Sequence, residues 1–270
     1  MPSGRIPPVP AVLRLVQRAV LERWRATDDD LYREVAALSE AAPRTEMLVS
    51  GCGEGETAEW LAARTGATVT GVDPDAGRIA AAESRARSPG RAPAVHYEHA
   101  PLDDLPHETG VFDVAIGEPA LSAAADPERA VAELVRVVKP MGTVVLMQLT
   151  WTSGVARSAR EAVVDRLGLR PHLLVEWKQM MRDAGLVELQ VQDWTDGAPG
   201  GRASAPGAEH PHLTLRQKAH IVGRVWRRWG WRAARGAVER ETSLIRELSR
   251  ERAFGFQLMK GVKWPHARDS

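Results

Sequence analysis

The sequence predicts an α/β protein with a mostly parallel sheet, and three adjacent observations predict it. Residues 47–50 are a short apolar run stopped by Gly51, Gly53 and Gly55. Residues 56–64 then place Ala58, Leu61 and Ala62 at helical spacing, and residues 67–72 form a second β-branched run closed by Asp73. Strand, tight turn, helix and strand in that order make a βαβ unit.

The flanking elements follow from the same periodicities. Residues 11–24 carry Val12, Leu15, Val16, Ala19 and Val20 at helical spacing, and a second helix over 31–38 follows the Asp28, Asp29, Asp30 cap. Residues 111–116 are an apolar strand. A helix closes at 165–168, another over 174–185 ends at Gly185, and 187–194 alternates as a strand. Residues 196–211 are dense in Gly, Ala and Pro and read as a linker; 213–251 read as a helical insert and 254–264 as the last strand. The expected organisation is therefore N-terminal helices over 1–44, a core over 45–195, a linker and helical cap over 196–252, and a final strand and tail over 253–270.

The turn after the first strand narrows the ligand. Asp73 stands twenty residues past Gly53 at the carboxyl end of the second strand, where an open α/β sheet presents an acid to a ribose. A dinucleotide fingerprint is G-x-G-x-x-G and sets a pyrophosphate on the helix N-terminus; the spacing here is G-x-G-x-G. Glu54 and Glu56 crowd that helix start and compete with a pyrophosphate for its N–H donors, while suiting an amine or a sulfonium. NAD and NADP are not expected to bind.

Beyond this loop the chain resembles the class I S-adenosylmethionine-dependent methyltransferases of the small-molecule type. SGCGEG, from Ser50, looks like their first motif, GVDPD their second-strand acid, and VFDVAIGEPAL their fourth strand. ADPERAVAELVRVVKPMGTVVLMQL is similar to their next helix, K-P-x-G turn and fifth strand, and WKQMMRDAGLVELQVQDWT resembles their approach to the sixth. The resemblance covers about residues 31–194 and implies S-adenosylmethionine as cofactor on a Rossmann-like, doubly wound, seven-stranded, mostly parallel sheet. It implies a cofactor loop of Gly51, Cys52, Gly53 and Gly55, with Asp73 and Pro74 at the ribose. Leu102 and Asp103 fall at the adenine, and Tyr32 falls where an aromatic often closes over the cofactor; Tyr32 also reads as a packing residue. Two acids that many members carry are replaced, one by Val49 and one by Ala100 and Pro101.

For the acceptor side, Glu118 emerges at the carboxyl end of a central strand, placed to hold an acceptor amine or act as base; a helix-start role fits it equally. His172 and Trp151 flank the exit from the fifth strand, and Glu118 and His172 are the catalytic candidates. Residues 224–235 interleave arginines with Trp226, Trp229 and Trp231, a pattern that stacks single-stranded nucleic acid or, more simply, buries one helix face with its arginines in solvent. No N-P-P-Y-type tetrapeptide is present, so a small-molecule acceptor is expected ahead of nucleic acid; a nucleic-acid methyltransferase using this basic aromatic segment, and a non-catalytic or weakly binding protein on the same fold, suggested by Val49 and Pro101, are the alternatives.

Charge is unevenly spread: residues 1–150 hold 15 Lys and Arg against 22 Asp and Glu, residues 151–270 hold 21 against 13. An acidic nucleoside half suits a cationic cofactor. The single cysteine, Cys52, excludes an internal disulfide or a cysteine zinc site, and no run reaches the roughly eighteen apolar residues of a membrane span. A cytoplasmic setting is expected.

Overall fold

The computed structural model describes residues 29–87, 95–152, 154–157, 160–161, 170–195 and 254–265. The expected helix over 11–24, the linker over 196–211 and the insert with Trp226, Trp229 and Trp231 lie outside these residues.

Helix α1 (Asp29–Leu38) precedes strand β1 (Glu46–Ser50), α2 (Glu56–Thr65), β2 (Thr68–Asp73), α3 (Ala76–Ala86) and β3 (Val95–His99). Then come β4 (Phe112–Gly117), a 3₁₀ turn (Pro119–Ala123), α4 (Pro127–Val137), β5 (Val138–Trp151), β6 (His172–Leu173), α5 (Leu174–Asp183), β7 (Leu186–Asp193) and β8 (Phe254–Lys263). All strands join one sheet in the order β3-β2-β1-β4-β5-β8-β7, with two-residue β6 paired to β5. β1 through β5 pair in parallel, and β7 runs antiparallel to β8. The predicted doubly wound, mostly parallel sheet is thus the observed one; the eighth strand is the short β6.

The order steps outward from β1 through β2 to β3, then returns to β4 on the other side of β1. That reversal is a topological switch point, where the carboxyl ends of the strands open a crevice. Register brings three strand ends level, because Ser50 pairs with Val72 on one side and with Gly117 on the other. Gly51, Asp73 and Glu118, each the next residue or nearly so, therefore emerge along one sheet edge.

Local chemistry explains the elements. Asp75 caps α3 by accepting from the N–H groups of Gly77 and Arg78, and Asp126 caps α4 with Pro127 in its first turn. α1 buries Leu31, Tyr32, Val35 and Leu38, one face of a helix. Beneath the sheet, Leu48, Ala115, Val144 and Leu146 pack on Val131 and Leu134 of α4 and on Trp177 and Met181 of α5. The expected K-P-x-G turn is an irregularity inside β5: Phe112 pairs with Val138, but Val114 pairs with Thr143, and Met141 takes φ 64°.

The described residues fall in two compact units. One holds the sheet, from residues 29–150, 171–195 and 256–265; in the other, Trp151 stacks on Phe254 at 4.7 Å and Arg160 lies 5.8 Å over the Trp151 ring.

Candidate cofactor site

At the end of β1 the chain turns through three left-handed glycines, Gly51 (φ 78°), Gly53 (φ 58°) and Gly55 (φ 85°), a conformation that L side chains resist. The loop folds back on β2: Gly51 N–H and Cys52 N–H both donate to Val72 O at 2.8 and 3.0 Å, and Gly55 N–H donates to Cys52 O at 2.9 Å. Cys52 is buried. The glycines differ in their surroundings. A Cβ on Gly51 would lie 2.7 Å from that of Ala120, and one on Gly55 would collide with the Tyr97 hydroxyl. Of the three, Gly53 faces open space among the described residues, none of which has an atom within 4 Å of an added Cβ. That space lies at the carboxyl end of β1, beside the switch point where open α/β sheets hold their ligands.

Asp73 is 1% exposed. Its Oδ2 accepts from Gly53 N–H and its Oδ1 from Asp75 N–H, each at 2.9 Å. Burial pushes its pKa above the usual 3.8, opposed by the bond from Asp75, the Arg78 guanidinium at 3.9 Å and the bond from Gly53. From the sequence Asp73 has no basic neighbour and no structural task. The structure adds a basic neighbour from outside GVDPD, Arg78 of α3, and a structural task, since the carboxylate ties the glycine loop to β2. Pro74 is exposed, and its carbonyl lies 3.1 Å from His99 Nε2.

Arg85 of α3 reaches Glu56 at 3.4 Å and Glu59 at 3.0 Å, so part of the negative charge at the α2 N-terminus is balanced. The spacing and geometry of the glycines, more than the acids, then distinguish this loop from a pyrophosphate site.

Leu102 is buried and Asp103 half-buried in the loop after β3. Residues the sequence did not single out hold that loop. Arg136 donates to His107 O at 2.7 Å and to Leu105 O at 3.0 Å, while Glu133 accepts from Leu105 N–H at 2.8 Å. The hydrogen bond from Arg136 holds the Glu133 carboxyl below its usual 4.5 against partial desolvation. Their i, i+3 spacing on α4 was the only signal available. Tyr32 is buried on α1 with its ring 5.5 Å from that of Trp60, so its observed partner is α2.

Glu118 is 2% exposed at the end of β4, where its N–H donates to Ser50 O at 2.9 Å. Its Cβ stands 3.6 Å from the position a Gly51 Cβ would take, so it adjoins the glycine loop. Buried Gln148 of β5 fixes this corner. Its amide nitrogen donates to Gly117 O at 3.0 Å and Glu118 O at 2.9 Å, and its oxygen accepts from Ser122 Oγ at 3.2 Å. Sequence reasoning missed Gln148, whose partners are 26 to 31 residues away.

His172 is elsewhere. Its Nδ1 is 3.6 Å from Glu176, its ring meets Trp177 edge-on at 5.2 Å, and it lines a groove of about 690 Å³ with Asp126, Arg129, Glu176 and Met180. The walls of that groove include neither Glu118 nor the glycine loop, so the two catalytic candidates are not brought together there.

Comparison with known proteins agrees with this geometry. Residues 48–146 match the family model described as a methyltransferase domain. The chain is 27% identical over 191 residues to methyltransferase GfsG of Streptomyces halstedii, covering 68% of each protein. It is 37% identical over 102 residues to the 2-phytyl-1,4-naphtoquinone methyltransferase of Nostoc, covering 37% of this chain and 44% of that one. Several matched relatives are, like the latter, spanned over less than half their length. The fold is also that of geranyl diphosphate C-methyltransferase from Streptomyces coelicolor A3(2), solved with S-adenosyl-L-homocysteine: TM-score 0.65, 18% identity, over 87% of this chain and 76% of that one. With its glycine loop, second-strand acid and sheet order in place, this chain matches a methyltransferase domain over residues 48–146 and is similar, in sequence and in fold, to S-adenosylmethionine-dependent methyltransferases of class I.

Proposed function

We propose that the chain transfers a methyl group from S-adenosylmethionine to a small, largely apolar organic acceptor. The observation that carries this is the common edge of β2, β1 and β4, where buried Asp73, the open face of Gly53 and buried Glu118 lie in sequence across the switch point. The bound cofactor would supply a methyl carbon activated by its sulfonium, which an acceptor nucleophile attacks in line.

The chain's own contribution is binding, alignment and exclusion of water. The backbone at Gly53 leaves room for the cofactor, and Asp73 turns its remaining lone pairs to the ribose hydroxyls. Leu102 and Asp103 flank the base, with Cys52 and Pro74 completing the walls. Alignment of nucleophile, carbon and leaving sulfur alone supplies roughly 7 to 11 kcal/mol of the barrier. Glu118, on the β4 side of the loop, faces the acceptor and takes its proton where the nucleophile must lose one. We assign that role to Glu118 over His172 because Glu118 adjoins Gly51 and His172 lines the groove between α4 and α5.

The acceptor class follows relatives whose names specify a phytyl naphtoquinone and geranyl diphosphate. Among the described residues no helix is long and apolar enough to cross a membrane, and the buried free thiol of Cys52 fits a reducing cytoplasm. The test is incubation with methyl-labelled S-adenosylmethionine and separate pools of prenylated quinols, RNA and DNA. Label in a small product supports the proposal; label in nucleic acid, or in none of the pools, contradicts it.

A further inference from the structure

Tyr97, in β3, takes no part in the assignments above, yet it stands against the glycine loop from the far side of β2. Its hydroxyl donates to Gly55 O at 3.2 Å, the carbonyl from which α2 starts. Its ring occupies the two hollows that lack a Cβ: one on Gly55 would collide with its hydroxyl, and one on Gly71 of β2 would lie 2.8 Å from its Cδ1 and 2.9 Å from the Cys52 sulfur. Gly55 and Gly71 therefore both leave room for the same phenol. Gly71 pairs directly with Tyr97 in the parallel ladder and with Val49 on the other side, so the three residues lie in one row across the sheet.

Among the described residues the loop has two long-range side-chain tethers, and both come from outside β1. Asp73 takes the Gly53 N–H and Tyr97 takes the Gly55 carbonyl, from positions 20 and 42 residues away. Val49, at the matching position of β1, is buried and apolar and has no group to offer the loop. A loop of left-handed glycines is flexible when nothing holds it, and a cofactor that orders it loses affinity in proportion. Fixing Gly53 at one end and Gly55 at the other presets the curve into which the cofactor descends. We propose that Tyr97 is a positioning residue for the cofactor loop, acting through its hydroxyl on Gly55 and through its ring in the hollow at Gly71. This rests on the methyltransferase reading for the identity of the ligand, but not for the tether itself.

The test separates the two. Tyr97→Phe keeps the ring in both hollows and removes only the hydroxyl. Amide hydrogen exchange of the ligand-free protein over residues 50–58 should accelerate at least about threefold, with the melting temperature within about 2 °C of wild type. Calorimetry with S-adenosylhomocysteine should show a fivefold to tenfold weaker Kd, and Tyr97→Leu, which also vacates the hollows, should weaken it further. Unchanged loop exchange in Tyr97→Phe overturns the tether. Faster exchange with S-adenosylhomocysteine affinity within twofold of wild type overturns its role in cofactor binding. Faster exchange in a protein whose wild type binds no S-adenosylhomocysteine leaves the tether standing and removes the methyltransferase reading.

Discussion

Asp73 has two tasks, and substitutions can separate them. In the ligand-free protein it accepts from Gly53 and Asp75, and in the proposed complex it also accepts from the ribose. Because its folded pKa is raised, ionised Asp73 lowers stability: the contribution is fully favourable below 3.8 and is lost as pH rises through the raised value. Asp73→Asn removes that pH dependence and keeps one acceptor oxygen, so it should remain folded across neutral pH. Asp73→Ala removes both acceptors, and its S-adenosylhomocysteine affinity should fall by about 1.5 to 3 kcal/mol, the range for a bond to a charged group. A folded Asp73→Ala protein with unchanged affinity would contradict the ribose assignment. At Gly53 the expectation is sharper. Valine there meets a φ of 58° and points into the open cradle, so Gly53→Val should abolish S-adenosylhomocysteine binding while a circular dichroism melt still shows a folded sheet.

The βαβ unit was legible because its signals are local: three glycines, an apolar helix face and an acid at a strand end all lie within thirty or so residues. What was not legible depends on contacts between elements. Tyr97, Gln148 and Arg136 each act on backbone 29 to 42 residues away, and no periodicity marks such pairs. Glu56, at the start of α2, reads as bare charge in the sequence, but α3 brings Arg85 to it. His172 was placed beside the site by order along the chain, but β6 directs it to the α4–α5 groove. Two element-level predictions follow from what the structure added. Glu133 has a lowered pKa, so the stability it confers through Arg136 and the 101–110 loop is present above 4.5 and lost as pH falls through its depressed value. Urea titrations of wild type and Glu133→Gln should differ by up to about 1 kcal/mol at pH 7 and converge in acid; a gap that persists at low pH would show the effect is not ionic. In β5, exposed Met141 adopts φ 64°, which costs an L residue roughly 1 to 2 kcal/mol. Met141→Gly should therefore be stabilising, by about 0.5 to 1 kcal/mol once the freer unfolded chain is set against it. Thermal melts read the sign directly.

At the scale of the whole molecule, a doubly wound sheet does not by itself name a reaction, since one fold hosts many chemistries. What distinguishes this molecule is the content of its switch point: a glycine cradle, a buried acid on the β2 side and a buried acid on the β4 side. The fold supplies the common edge by register, and under the proposed function the residues at that edge bind the cofactor on the β2 side and face the acceptor on the β4 side. The central claim is that the cradle holds S-adenosylmethionine and not a dinucleotide. Calorimetric titration of the wild-type protein with S-adenosylhomocysteine and, in parallel, with NADH tests it most directly. The account predicts saturable one-to-one binding of S-adenosylhomocysteine in the micromolar range and no measurable heat with NADH. Micromolar binding of NADH with none of S-adenosylhomocysteine would contradict it.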